Sequence, residues 1–123
     1  MAEKFHIKDR IKSFKYAGNG IWSMLKSQHN AWIHVAATGL VIVAGFWFHI
    51  TATEWALIIL AIMSVWTAEG FNTALEFLAD ASSPDYHPLI GKAKDVAAGA
   101  VLISAIGSFT IGFIIFLPYI FNY

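Results

Sequence analysis

Hydrophobic and polar positions fall along this chain in long blocks, and the blocks predict helices. One apolar block runs from Ala31 to Phe48, eighteen residues interrupted by His34, Thr38 and Gly39. At about 1.5 Å of rise per residue it just crosses a hydrocarbon core. A second begins at Trp55, carries no charge as far as Ala68, and continues at helical spacing through Glu69, Asn72 and Glu76 to Ala79. A third runs from Val96 to Leu117 without a charged residue, with Pro118 placed to end it. Ahead of them, Lys4, Lys8, Arg10, Lys12, Lys15 and Lys26 are interleaved with apolar residues, and Ile7, Ile11 and Phe14 share one helical face. That pattern predicts an amphipathic helix in the headgroup region, with Gly18-Asn19-Gly20 as a flexible point within it. The expected fold is therefore an all-α membrane protein, three transmembrane helices with an N-terminal amphipathic surface helix. Residues 1–123 form one integral-membrane domain, with the surface helix over about 5–28 and spans over about 31–48, 55–79 and 94–117.

Composition agrees with this reading. The chain has 123 residues, 58% hydrophobic and 13% charged, against about 45–50% and about 25% in soluble domains. So short a chain lacks the polar residues to coat a soluble globule. The absence of cysteine excludes a disulfide scaffold, a Cys-ligated zinc site and an iron–sulfur cluster. Eight Lys and Arg balance eight Asp and Glu, so there is no basic excess pointing to nucleic acid.

The placement of charge says more than its sum. Every Lys and Arg lies in residues 4–26 or at Lys92 and Lys94, and the connection from His49 to Glu54 has none. By the positive-inside rule the amino terminus and the second loop face the cytoplasm, and the first turn and the carboxyl terminus face the other side. Trp32, Trp47, Trp55, Tyr119 and Tyr123 fall near the expected interfaces as aromatic anchors. The basic start is followed by no apolar run for thirty residues, which argues against a cleaved signal peptide.

The candidate chemistry sits at the end of the second block. Glu69, Asn72, Thr73, Glu76 and Asp80 stand at offsets of three, four, seven and eleven residues, so they form one stripe on a helix leaving the membrane. An acidic residue inside a span costs at least about 2.5 kcal/mol and usually faces a protein interior or a wet cavity. The second loop adds Asp85, Tyr86, His87, Lys92, Lys94 and Asp95, and Lys94 is placed to neutralise phosphate oxygens. His6, His29, His34 and His49 lack metal-ligand spacing and read as satisfied interfacial histidines. No phosphate loop, zinc helix or nucleophile elbow is present. Two other classes stay open: an acidic stripe lining an ion or proton path, and a non-catalytic helical subunit. A pore stripe would cross the whole membrane, whereas between Trp55 and Ala68 only Ser64 and Thr67 are polar.

These residues carry a resemblance. Ala68-Glu69-Gly70-Phe71-Asn72-Thr73-Ala74-Leu75-Glu76, then Asp80, then Tyr86-His87-Pro88-Leu89, then Ala93-Lys94-Asp95-Val96-Ala97-Ala98-Gly99-Ala100-Val101 resemble the signature of the prokaryotic diacylglycerol kinase family. That family also includes undecaprenol kinases, and the similarity spans Lys12 to about Ile115. The resemblance implies a homotrimer in the bacterial cytoplasmic membrane that phosphorylates a membrane lipid alcohol with ATP and Mg2+. Diacylglycerol, giving phosphatidic acid, is the expected acceptor and undecaprenol the alternative.

Carried over by position, the resemblance makes Glu69 the catalytic base and Asn72 a neighbour that orients the reacting groups. Glu76 becomes a magnesium ligand. Tyr16, Asp85, Tyr86, His87, Lys94 and Asp95 belong at the nucleotide. The family's second metal-binding glutamate lies before the first span, and here Lys26-Ser27-Gln28-His29-Asn30 matches that stretch, so Gln28 stands in its place. An amide oxygen still ligates magnesium but brings one negative charge fewer to a hard-cation site. Ala100, Ser104, Ser108 and Gly112 recur every four residues as a small-residue seam, suited to close helix approach between chains or within one.

Overall fold

The computed structural model describes residues 4–122. Tyr123, expected as an anchor, lies outside the described residues. Four helices follow one another: α1 (Ile7–Ser27), α2 (His29–Phe48), α3 (Ala52–Ser82) and α4 (Pro88–Phe121). The last three are long and apolar enough to cross a membrane. They are apolar without being buried: within the chain α2 buries only Ala31 and Gly45, and α4 only Ile115. Leu40, Phe46, Leu60, Ile103 and Ile114 all face outward. A soluble protein does not expose such a surface, whereas acyl chains solvate it at no cost. The fold is an all-α membrane protein.

Helix boundaries follow from capping chemistry that the apolar blocks do not reveal. α3 starts at Ala52, ahead of the apolar block, because Thr51 and Glu54 form a reciprocal capping box. The Thr51 amide donates to Glu54 Oε1 (2.8 Å) and the Glu54 amide donates to Thr51 Oγ1 (3.2 Å). Such a cap contributes about 1 kcal/mol. α4 starts at Pro88, whose missing N–H is harmless in a first turn, and His87 Nδ1 accepts from the Leu89 amide at 3.1 Å.

Two local expectations change. The helix does not stop at Pro118: it continues through it to Phe121 and ends at Asn122, whose left-handed backbone (φ 56°) directs its N–H to the Pro118 carbonyl. A proline so close to the end forfeits one hydrogen bond of a turn that is about to finish. Nor do Gly18 and Gly20 interrupt α1, which is continuous across them.

The α2–α3 connection reverses the chain within three residues. His49 adopts the left-handed region (φ 55°), and the amides of His49 and Ile50 donate back to Phe46 and Gly45 carbonyls, a Schellman closure. Ile50 is buried with Ile58 and Ile115, and Phe48, Trp55, Phe116 and Tyr119 pack against them. The Tyr119 hydroxyl donates to Glu54. Trp55 and Tyr119 thus knit this end together, while Trp32 and Trp47 are exposed as anchors are.

α3 and α4 form the most closely packed pair, and Ser108 Oγ donates to the Ala61 carbonyl across it at 2.9 Å. The small-residue seam is therefore used within the chain around Ser108. α2 lies antiparallel to α3, with Gly45 under the Trp55 ring and Trp66 Nε1 donating to Thr38 Oγ1 at 3.1 Å. α1 docks by its far end only. Met24, its one buried residue, lies against Gly70 of α3, and Gln28, with extended backbone, breaks the path between α1 and α2.

Candidate active site

The site is built on the half of α3 that follows Val65. Helical periodicity carries Val65, Glu69 and Thr73 to one buried face. Glu69 is 1% exposed, a carboxyl group sealed inside a bundle of apolar helices. Among the described residues neither of its oxygens has a hydrogen-bond partner. Its neighbour is His34 of α2, whose Nε2 lies 3.2 Å from Oε2, at ion-pair distance but off the line of a hydrogen bond. Thr73 satisfies itself by donating to the Glu69 main-chain carbonyl at 2.9 Å.

Asn72 is the second incomplete group. Its Oδ1 is buried and partnerless, in a groove between α3 and α4 whose other walls include Ala68, Leu75, Ala97 and Ala100. Buried polar atoms in folded proteins are overwhelmingly paired, since an orphan costs about 1–3 kcal/mol. Glu69 and Asn72, three residues apart on α3, are acceptor groups that the described residues leave for something else to complete.

Farther along the stripe the charges are paired. Lys94 of α4 reaches across to α3, its Nζ 2.8 Å from Asp80 Oδ1 and 3.5 Å from Glu76 Oε2. Lys94 and Glu76 are each about one-third exposed. Asp95 is exposed beside Lys94, and the loop residues Asp85 and Tyr86 are exposed too, with the Tyr86 ring over Gly91. His87 caps α4 with Nδ1. Tyr16 is exposed on α1, more than two turns before the Met24 contact that docks this helix. The structure therefore joins Glu76, Asp80 and Lys94 in one cluster and gathers Glu69 with His34. Gln28 is half-buried at the α1–α2 break, and Tyr16 stands apart from both groups.

Among the described residues no three His, Asp or Glu side chains converge as a metal cage. Magnesium does not require one, because it is commonly held by one or two carboxylates with phosphate oxygens and water. Glu76, a hard oxygen donor about one-third exposed near the charged end of the stripe, fits such a cation. The stripe ends at Glu69: the buried positions of α3 beyond it are Val65, Ala61 and Ile58. An ion path across the membrane would need polar groups there.

The sequence reading missed His34, taken as an interfacial histidine. The signal lay in the hairpin register, since Gly45 with Trp55, Thr38 with Trp66 and His34 with Glu69 are successive contacts of one antiparallel pair.

Comparison with known proteins shows the family. The family model of prokaryotic diacylglycerol kinase matches residues 15–116. An undecaprenol kinase of Bacillus subtilis strain 168 is 42% identical over 108 residues, 88% of each chain. A diacylglycerol kinase of Synechocystis is 38% identical over 109 residues, 88% of this chain and 62% of the relative. A diacylglycerol kinase of Escherichia coli K12 is 35% identical over 92 residues, 69% of this chain and 73% of the relative. With a family match over most of its length and relatives this similar, the chain belongs to the prokaryotic diacylglycerol kinases, a family of membrane lipid kinases.

Proposed function

We propose that this protein transfers the γ-phosphoryl group of ATP to the hydroxyl of a membrane lipid alcohol, with Mg2+, at the cytoplasmic face of the bacterial inner membrane. The observation that carries the reading is the Glu69 carboxylate, buried and, among the described residues, with no hydrogen-bond donor on either oxygen. A carboxylate so placed is a base awaiting a proton donor, and a lipid hydroxyl entering at the interface is such a donor. The acceptor oxygen forms a bond to the γ-phosphorus as the bond to the ADP oxygen breaks, and the hydroxyl proton passes to Glu69. Asn72, one turn on, orients the hydroxyl and the transferring group.

Phosphoryl transfer asks a protein mainly to position reactants and neutralise charge, so a few acids and one lysine suffice. Lys94 leaves its carboxylate partners to pair with phosphate oxygens, and Asp95, Asp85, Tyr86, His87 and Tyr16 surround the nucleotide. Glu76 and Gln28 would hold the magnesium ion, which when bound neutralises phosphate charge. The amino terminus and the loop before α4 lie in the cytoplasm, where the basic residues are concentrated. The chain works as a homotrimer, in which a neighbouring copy helps to enclose the grooves.

For the acceptor, the 42% identity to an undecaprenol kinase over 88% of both chains supports undecaprenol first. Diacylglycerol, expected from the signature, is the second reading and has the support of the Synechocystis and Escherichia coli relatives. Purified protein given labelled ATP, magnesium and each lipid in turn tests the choice by product. Label in undecaprenyl phosphate supports the first reading and label in phosphatidic acid the second. Label in neither overturns the proposed activity.

A further inference from the structure

His34 lies within the apolar run of α2, 16% exposed, on the side turned toward α3. A histidine at that depth needs a partner. Its ring stands edge-on to Trp66, with centroids 6.0 Å apart at 69°, and Trp66 is itself fixed by its indole hydrogen bond to Thr38, one turn from His34. Thr38, Trp66 and His34 thus form a short chain of contacts that ends at Glu69. His34 also borders a cavity of about 100 Å³ lined mostly by apolar residues of α2, α3 and α4. The ring has room to turn there. Nε2 lies 3.2 Å from Oε2, within hydrogen-bond distance, so only the angle separates this contact from a hydrogen bond.

We propose that His34 is the positioning residue for Glu69: it donates Nε2–H to Oε2 and thereby presents Oε1 to the acceptor hydroxyl. The inference rests on the lipid kinase reading above and assigns His34 no contact with substrate. A carboxylate turns freely about its last bond unless one oxygen is tied, and a misdirected base loses rate without losing affinity. With the donor on one oxygen, the second is the free acceptor. The same donor offsets part of the cost of burying the carboxylate.

Side chains of similar shape with and without a donor test this. His34→Gln places an amide N–H near the position of Nε2, whereas His34→Met has similar length without a donor, and His34→Phe keeps the ring against Trp66. In the full-length protein in detergent micelles, with Mg-ATP and whichever lipid alcohol the wild type phosphorylates, kcat of the Met and Phe variants is expected to fall at least about tenfold. KM for ATP and for lipid stays within about threefold, and the Gln variant recovers to within about threefold of the wild-type kcat. Thermal melts followed by circular dichroism report folding, and two donor-free variants keep the test valid should one not fold. A wild-type kcat in a folded donor-free variant, or equal losses in Gln and Met, overturns the role of His34. If Glu69→Gln is also inactive, the lipid kinase reading survives that outcome. A wild type that phosphorylates neither lipid overturns both.

Discussion

The ammonium of Lys94 lies 2.8 Å from Oδ1 of Asp80, tying the first turns of α4 to the last turns of α3. The lysine is thereby parked on acidic partners at the charged end of the bundle. Under the proposed function, nucleotide binding replaces those partners with phosphate oxygens. Lys94→Met is expected to raise KM for ATP by about tenfold, the magnitude of one charge-assisted contact. Asp80→Asn, which only releases the lysine, leaves KM within about threefold. Initial rates over a range of ATP concentrations check both. Equal effects of the two changes would assign the pair to structure.

Glu69 separates activity from stability. Glu69→Gln keeps the shape of the side chain and removes the negative charge, so kcat for lipid phosphorylation is expected to fall by roughly two to four orders of magnitude. The melting temperature is expected to change little, because the shape is kept and the buried charge is lost together with its contact to His34. Phosphorylation assays and thermal melts on one preparation measure both. A lower melting temperature with retained turnover would make Glu69 a structural residue.

The contrast between Glu69 and His34 shows what was legible in the sequence. Three spans, an amphipathic first helix and an acidic stripe on α3 follow from residue periodicity, which is local and regular. His34 joins the site only through the α2–α3 register, a long-range relation set by the Schellman turn at His49 and by the packing of Trp55 on Gly45. The extension of α3 back to Ala52 was legible as Thr51-Ala52-Thr53-Glu54, a capping signature outside the apolar block. The passage of α4 through Pro118 was not, because a proline removes one hydrogen bond and crowds the carbonyl four residues earlier, and whether the helix absorbs that depends on its packing as a whole.

At the α1–α2 break stands Gln28, which the proposed function puts at the magnesium ion, and a carboxylate in its place would add a charge to that hard-cation site. Gln28→Glu is expected to lower the magnesium concentration for half-maximal rate by about threefold to tenfold, with little change in the maximal rate. Rates measured against free magnesium at saturating ATP decide it. An unchanged midpoint would remove Gln28 from the metal site.

The opposite end of the bundle makes a prediction about the fold alone. A Cβ added at Gly45 would stand 2.5 Å from Cη2 and 2.7 Å from Cζ2 of Trp55, well inside contact distance. The indole cannot simply withdraw, because Phe46 lies against it with ring centroids 5.0 Å apart. Gly45→Ala is therefore expected to destabilise the α2–α3 hairpin by about 1–3 kcal/mol, the usual cost of overpacking. Gly39 is the internal control on the same helix. Its Cβ would meet nothing within 4 Å, so Gly39→Ala gains helix propensity, up to about 1 kcal/mol, without a clash. Thermal melts in one detergent are expected to order the proteins Gly39→Ala, wild type, Gly45→Ala from most to least stable. Because Glu69 and Lys94 lie at the other end, kcat of Gly45→Ala well below its melting point stays near that of the wild type. Equal melting temperatures for the two alanine variants would mean that the Trp55 ring does not rest on Gly45.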